Sequence, residues 1–137
     1  MKTYDVAIVG AGPAGSSLAY RLAGEGFDVV LIDKEPFPRK KICAGGLPPK
    51  VLKFLPCNIS PVVQNEVFQV NISHELRDEL VRSYEKVLIY TVNRERFDEF
   101  LVRQAEVAGA DFLAVAPRVR SCSSVGTFIE WSQRANR

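Results

Sequence analysis

Residues 4–33 read YDVAIVGAGPAGSSLAYRLAGEGFDVVLID. Tyr4 to Val9 is a short, mostly apolar run, the pattern of a strand buried on both faces. Gly10-Ala11-Gly12-Pro13-Ala14-Gly15 follows and fits G-x-G-x-x-G. A helix is predicted next, with Ala14, Leu18, Ala19, Leu22 and Ala23 on one face and Gly24 and Gly26 ending it. Val29 to Ile32 is a second buried strand, closed by Asp33. In such a strand–turn–helix–strand unit each glycine has its own task. Gly10 allows the tight turn, Gly12 allows a pyrophosphate to approach the backbone, and Gly15 allows the helix to pack close to the strand. The helix start offers N–H groups and the positive end of its dipole to phosphate. Pro13 sits in the first turn, where its missing N–H costs little. Asp33 lies about 20 residues beyond the glycines, where a carboxylate accepts from ribose hydroxyls. The alternative is a glycine turn that serves packing alone.

The chain has 137 residues, 47% hydrophobic and 25% charged, the balance of a globular domain able to bury a core. Its net charge of +2 gives no electrostatic footprint for nucleic acid. No apolar run reaches the ~20 residues of a membrane span. The first strand opens by Tyr4, so no signal or transit peptide is expected, and Cys43, Cys57 and Cys122 are expected reduced in a cytoplasmic protein. Their spacing fits no metal site.

Lys34 to Pro49 reads as a loop, with four prolines, the basic run Arg39-Lys40-Lys41 and the glycine pair Gly45-Gly46. Pro49 to Leu55 looks like a short helix. Residues 56–92 read as a β-rich insertion, with strands over 67–72 and 87–92; the charged stretch between them has no legible structure. His74 is read as surface. Asn93 to Gly109 is a capped helix with Phe97, Phe100, Leu101, Ala105 and Ala108 as its buried stripe. Arg94 and Arg96 occupy its first turn, where the dipole disfavours cations. Either nearby acids offset them, or one arginine faces an external anion. Ala110 to Ala116 reads as a third strand of the sheet. Residues 119–125 and 127–131 suggest a hairpin about Gly126, and the last six residues a frayed tail.

Three segments together resemble one family. The turn Gly10 to Ser17, Pro-Ala included, has the FAD-type form. Phe37-Pro38-Arg39-Lys40-Lys41-Ile42-Cys43-Ala44-Gly45-Gly46-Leu47 resembles the F-P-R-x-K-x-C-x-G-x-L loop. Arg94-x-x-Phe97-Asp98-x-x-Leu101, with Ala105 and Gly109-Ala110 beyond, resembles the R-x-x-F-D-x-x-L…A…G-A helix. In this order they resemble the geranylgeranyl reductase family of FAD-dependent oxidoreductases. The first motif is common to many flavoproteins; flavin hydroxylases and halogenases carry variants of the second.

The resemblance implies a Rossmann-like FAD-binding α/β fold with a parallel sheet, truncated, plus the small β-rich insertion. It implies FAD as cofactor, with electrons from NADPH or another donor, and an isoprenoid or lipid substrate whose C=C bonds are reduced. Ala14 and Asp33 would touch the pyrophosphate and adenosine ribose, with Gly10, Gly12, Pro13, Gly15 and Lys34 around them. Cys43, Ala44 and Gly46 would lie along the cofactor toward the flavin, with Cys43 near the substrate; a small loop-filling residue is the alternative for Cys43. Arg94 would contact FAD, and Val119 would offer backbone to the adenine. Family members are much longer, with a later G-D motif and a substrate domain. The chain is therefore expected to be an N-terminal portion, with peripheral membrane contact belonging to the whole protein. The alternatives are a flavin-dependent aromatic monooxygenase-type protein and a non-catalytic nucleotide-binding fragment.

Overall fold

The structure is a computed structural model that describes residues 2–75, 78–115, 117–119 and 129–131. Two compact units emerge, Met1–Arg39 with Asp98–Arg137, and Lys40–Phe97.

The first unit is built on the glycine stretch. Strand β1 (Val6–Val9), helix α1 (Pro13–Gly24) and strand β2 (Val29–Asp33) follow in order. β1 and β2 pair in parallel, Val6 opposite Val29 through Val9 opposite Ile32, so the unit is a β-α-β crossover. β2 is buried at all five residues. It sits between β1 and a later parallel strand, Asp111–Ala114, with Val30 opposite Asp111. β1 departs from the sequence reading. Ile8 is buried, but Ala7 and Val9 are exposed; among the described residues β1 has only β2 beside it.

The expected inward face of α1 holds in part, with Ala19 and Ala23 buried and Leu22 packed against the core. Ser16, Ala19 and Ala23 are buried at i, i+3 and i+7, while Ala14 and Leu18 are exposed. The small side chains allow close approach to the sheet, and they join Ile8, Val29, Leu31, Val102 and Ala105 in one core. Gly26, at φ +92°, takes the left-handed conformation beyond the helix end, where L side chains are strained.

The second unit is mostly antiparallel. The expected loop contains a two-residue strand, β3 (Gly46–Leu47), followed by 3-10 turns at Pro49–Lys53 and Ser60–Val62. β4 (Val63–Val67) and β5 (Gln69–His74) replace the single strand expected over 67–72, with the break at Phe68. β5 forms a hairpin with β6 (Asp78–Ser83), which supplies a structure for the charged stretch. β7 (Ile89–Val92) pairs with β3 on one side and β4 on the other. His74 is exposed, as read.

α2 spans Arg94–Val107. Asn93 caps it: its side-chain oxygen accepts the N–H of Glu95 at 2.9 Å and of Arg96 at 3.3 Å. Gly109, at φ +111°, closes it. Its buried residues are Phe97, Asp98, Leu101, Val102 and Ala105; Phe100 and Ala108 are half-buried. β8 (Asp111–Ala114) then completes the parallel sheet. β9 (Pro117–Val119) and β10 (Ile129–Trp131) pair antiparallel, whereas the expected turn about Gly126, Cys122 and the tail lie outside the described residues.

The Asp111 carboxylate anchors the segment before β1. It accepts from Lys2 Nζ at 2.5 Å and from the Tyr4 hydroxyl at 2.6 Å, and these bonds hold its carboxyl below the ordinary value. A carboxyl depressed by folding stabilises above its unfolded pKa and loses that contribution as pH falls through the folded value. Tyr4→Phe should therefore lower the melting temperature slightly at pH 7. The deficit should shrink toward zero as acid protonates Asp111. A deficit that stays constant across an acid titration would contradict this role.

Candidate functional site

The glycine turn at the mouth of the first unit is held open by backbone geometry. Gly10 lies at φ +100°, and its N–H donates to Ile32 O at 2.7 Å. Gly12 is the N-cap of α1, extended at φ −78° and ψ −178°. A Cβ on Gly12 would meet nothing within 4 Å, so the space in front of it is open. Gly15 is the opposite case: a Cβ there would stand 1.9 Å from Gly10 O. Gly15 thus serves the approach of helix to turn, and Gly12 leaves room. No side chain caps the start of α1, and Pro13 occupies its first turn. Ala14 is exposed beside it. A capless helix N-terminus with open space before it suits an anion.

Asp33 reaches this turn. Its side chain is 7% exposed, and Oδ2 accepts the Ala11 N–H at 2.7 Å. Oδ1 accepts only a long contact, 3.3 Å, from the Glu35 N–H. The sequence predicts the acid near the glycines; it does not show that the acid also fastens the turn. The Lys34 ammonium lies 3.8 Å from Glu35 in a largely exposed pair. Such pairs contribute little.

Arg39 lies beside Asp33. Its Nη2 is 3.4 Å from Asp33 Oδ2 and 4.0 Å from Asp98 Oδ2. Its guanidinium also stacks over the Phe37 ring at 5.1 Å. Phe37 in turn meets Phe112 edge-on, with centroids 5.5 Å apart. The sequence reading puts Arg39 in a basic run and Asp98 among acids that offset nearby arginines. In the fold Asp98 is buried, and its carboxylate lies 4.0 Å from the half-buried Arg39 guanidinium.

Within the second unit, Cys43, Ala44 and Arg94 come together with Lys40 and Lys41 around a cavity of about 420 Å³. Three cationic side chains against one carboxylate, Glu95, leave the lining net positive, which favours an anionic or strongly polar ligand. Cys43 is exposed, and its Sγ accepts the Gly45 N–H at 3.4 Å. Gly46 is not part of this lining. The sterically demanding glycine of the pair is Gly45, at φ +72°, where a Cβ would stand 2.0 Å from Val92 O. Val119 lies in β9, paired with Ile129, and only its backbone is described. A second cavity of about 370 Å³ is lined by Cys57, Glu66 and Tyr90 among others; burial pushes the Cys57 thiol pKa up. No cluster of potential metal ligands occurs among the described residues.

Comparison with known proteins gives this geometry a family. The FAD dependent oxidoreductase family matches residues 5–56, the glycine turn, Asp33 and the Cys43 loop together. An uncharacterised protein of Methanosarcina barkeri is 42% identical over 113 residues, covering 82% of this chain and 29% of the relative. The geranylgeranyl diphosphate reductase of Rhodobacter capsulatus is 31% identical over 112 residues, covering 80% of this chain and 27% of the relative. The crystal structure of a geranylgeranyl bacteriochlorophyll reductase-like protein from Thermoplasma acidophilum superposes at a TM-score of 0.76 with 28% identity. The chain belongs to the FAD-dependent oxidoreductases, on their geranylgeranyl reductase-like side. That structure covers 94% of this chain and is itself covered to 35%. The chain thus spans about a third of the length of these three relatives.

The oxidoreductase fold gives its two critical glycines a direct test. Gly15→Ala and Gly45→Ala should each cost about 1–3 kcal/mol, the range for forcing atoms into a packed site. Gly46→Ala, whose Cβ would meet Ile89 Cγ2 at 3.4 Å, should change stability by less than about 1 kcal/mol. Urea denaturation of the three variants measures this; equal losses at 45 and 46 would contradict the assignment.

Proposed function

We propose that the glycine turn binds the diphosphate of FAD and that Asp33 accepts from its adenosine ribose. What supports this is one juxtaposition: open space before Gly12 at a helix N-terminus, with the Asp33 carboxylate bonded to the Ala11 N–H of the same turn. A diphosphate gains from the N–H groups and dipole at the helix start, and a side chain at Gly12 would occupy its place. Pro13 and Ala14 shape the first turn, while Gly10 and Gly15 hold its backbone. Lys34 adds positive charge at the edge, Val119 offers backbone toward the adenine, and Cys43, Ala44, Gly46 and Arg94 serve the flavin-side part of the cofactor. The cavity shared by Cys43, Ala44 and Arg94 supports that last reading, its cations suiting the polar flavin end.

Bound FAD supplies two-electron redox chemistry. For the whole protein we infer reduction of isolated C=C bonds in an isoprenoid or lipid, with NADPH or another reductant as electron source. The kinship with a geranylgeranyl diphosphate reductase carries this reading. Cys43, exposed on the cavity rim, is then the side chain placed to meet substrate. Among the described residues no helix is long and apolar enough to cross a membrane. A cytoplasmic protein touching the membrane peripherally fits a lipid substrate.

Gly12→Ala separates folding from binding. Gly12 has φ and ψ that alanine adopts freely and no atom near its Cβ position, so the variant should fold with an unchanged melting temperature. FAD should raise the melting temperature of the unmodified chain and fail to raise that of the variant. An equal FAD effect on both would place the diphosphate elsewhere. For the chemistry, the complete protein with reductant and a polyprenyl substrate should add two mass units per reduced bond. Reductant-dependent oxygen uptake that requires an aromatic compound would instead indicate a monooxygenase.

A further inference from the structure

We propose that Arg39 is a positioning residue that acts through Asp33, and that Asp98 holds it there. This rests on the reading of Asp33 as the ribose acceptor. A guanidinium loses most of its hydration when buried and persists only with compensating partners. The Arg39 side chain is 13% exposed. Its two carboxylate neighbours are Asp33 at 3.4 Å and Asp98 at 4.0 Å, with side-chain exposures of 7% and 1%. The Phe37 ring covers one guanidinium face, and Phe112 fixes Phe37. The cation is therefore confined by an aromatic ring and a carboxylate buried on α2, and it cannot leave Asp33 for solvent at small cost. Asp98 needs the same explanation from its own side: a carboxylate in the apolar stripe of a helix is costly unless it meets a cation.

The consequence lies at Asp33. Oδ2 is engaged by both the Ala11 N–H and the Arg39 guanidinium, whereas among the described residues Oδ1 has only the long Glu35 contact. With Oδ2 hydrogen-bonded to the Ala11 N–H and ion-paired with Arg39, whose own Nε is buried without a hydrogen-bond partner, the carboxylate has one settled orientation and Oδ1 remains the acceptor for an outside donor. The ligand chemistry this suits is the vicinal diol of a ribose. A free carboxylate would have to lose rotational freedom on binding, and Arg39 removes that cost beforehand.

A double-mutant cycle tests the coupling. FAD dissociation constants are measured by flavin fluorescence for the unmodified chain, Arg39→Met, Asp33→Asn and the double variant, with ligand-free melting temperatures alongside. If Arg39 acts through Asp33, Arg39→Met should weaken FAD binding about tenfold when Asp33 is present and less than about twofold in the Asp33→Asn background. Equal losses in the two backgrounds, or no loss in the first, would overturn the proposal, whatever happens to the melting temperature. Where Arg39→Met does not fold, Arg39→Lys and Asp98→Asn replace it. Each should weaken binding a few-fold with Asp33 and have no effect without it; additivity again overturns the proposal. Absence of FAD binding by the unmodified chain would instead sink the reading of the site itself, and the Arg39 role with it.

Discussion

One short hydrogen bond, from the Ala11 N–H to Asp33 Oδ2 at 2.7 Å, ties the end of β2 to the glycine turn that opens α1. The parallel pairing of β1 and β2 brings these segments side by side, with Val9 opposite Ile32. Gly10 adds a backbone bond to Ile32 O, and Gly15 lets α1 sit against Gly10 O with no Cβ between. These bonds, and the missing Cβ at Gly15, fix the shape of the turn. Preorganisation of this kind reduces the ordering a binding event must accomplish.

The buried charges follow from that arrangement. A carboxylate that reaches the turn from the sheet is shielded from water, and it needs a counter-charge. Arg39 provides one and needs anchoring in turn, which Asp98 supplies from the inner face of α2. Two family signatures, the Phe37-Pro38-Arg39 loop and the Phe97-Asp98 helix segment, thereby meet at one point in space. The residual charge of this trio is negative, so it complements hydroxyl donors better than phosphate. The diphosphate belongs instead at the α1 N-terminus, where the dipole is positive.

Much of this was legible in the residues, and the rest failed for identifiable reasons. The crossover was readable because glycine spacing, two apolar runs and a terminal acid agree. α2 was readable because Asn93 and Gly109 mark both ends of a periodic stripe. On α1, Ala19 and Ala23 were readable, but Leu18 is exposed and Ser16 buried, because close helix–sheet packing favours small side chains over large apolar ones. Asp98 was missed because an acid near a helix start ordinarily faces solvent. Gly45 and Gly46 are indistinguishable in sequence; only the nearness of Val92 O separates them. The two-residue strand β3 carries no periodicity at all, and the break between β4 and β5 at Phe68 interrupts an alternation that reads as continuous.

The central claim is that the turn at the head of α1 receives the FAD diphosphate. Amide NMR of the labelled chain during titration with FAD examines it residue by residue. The largest shifts should fall on the backbone N–H groups of Gly12, Ala14 and Gly15, with Ala11 moving alongside. Saturable FAD binding that leaves those four amides unmoved and shifts others would contradict the account.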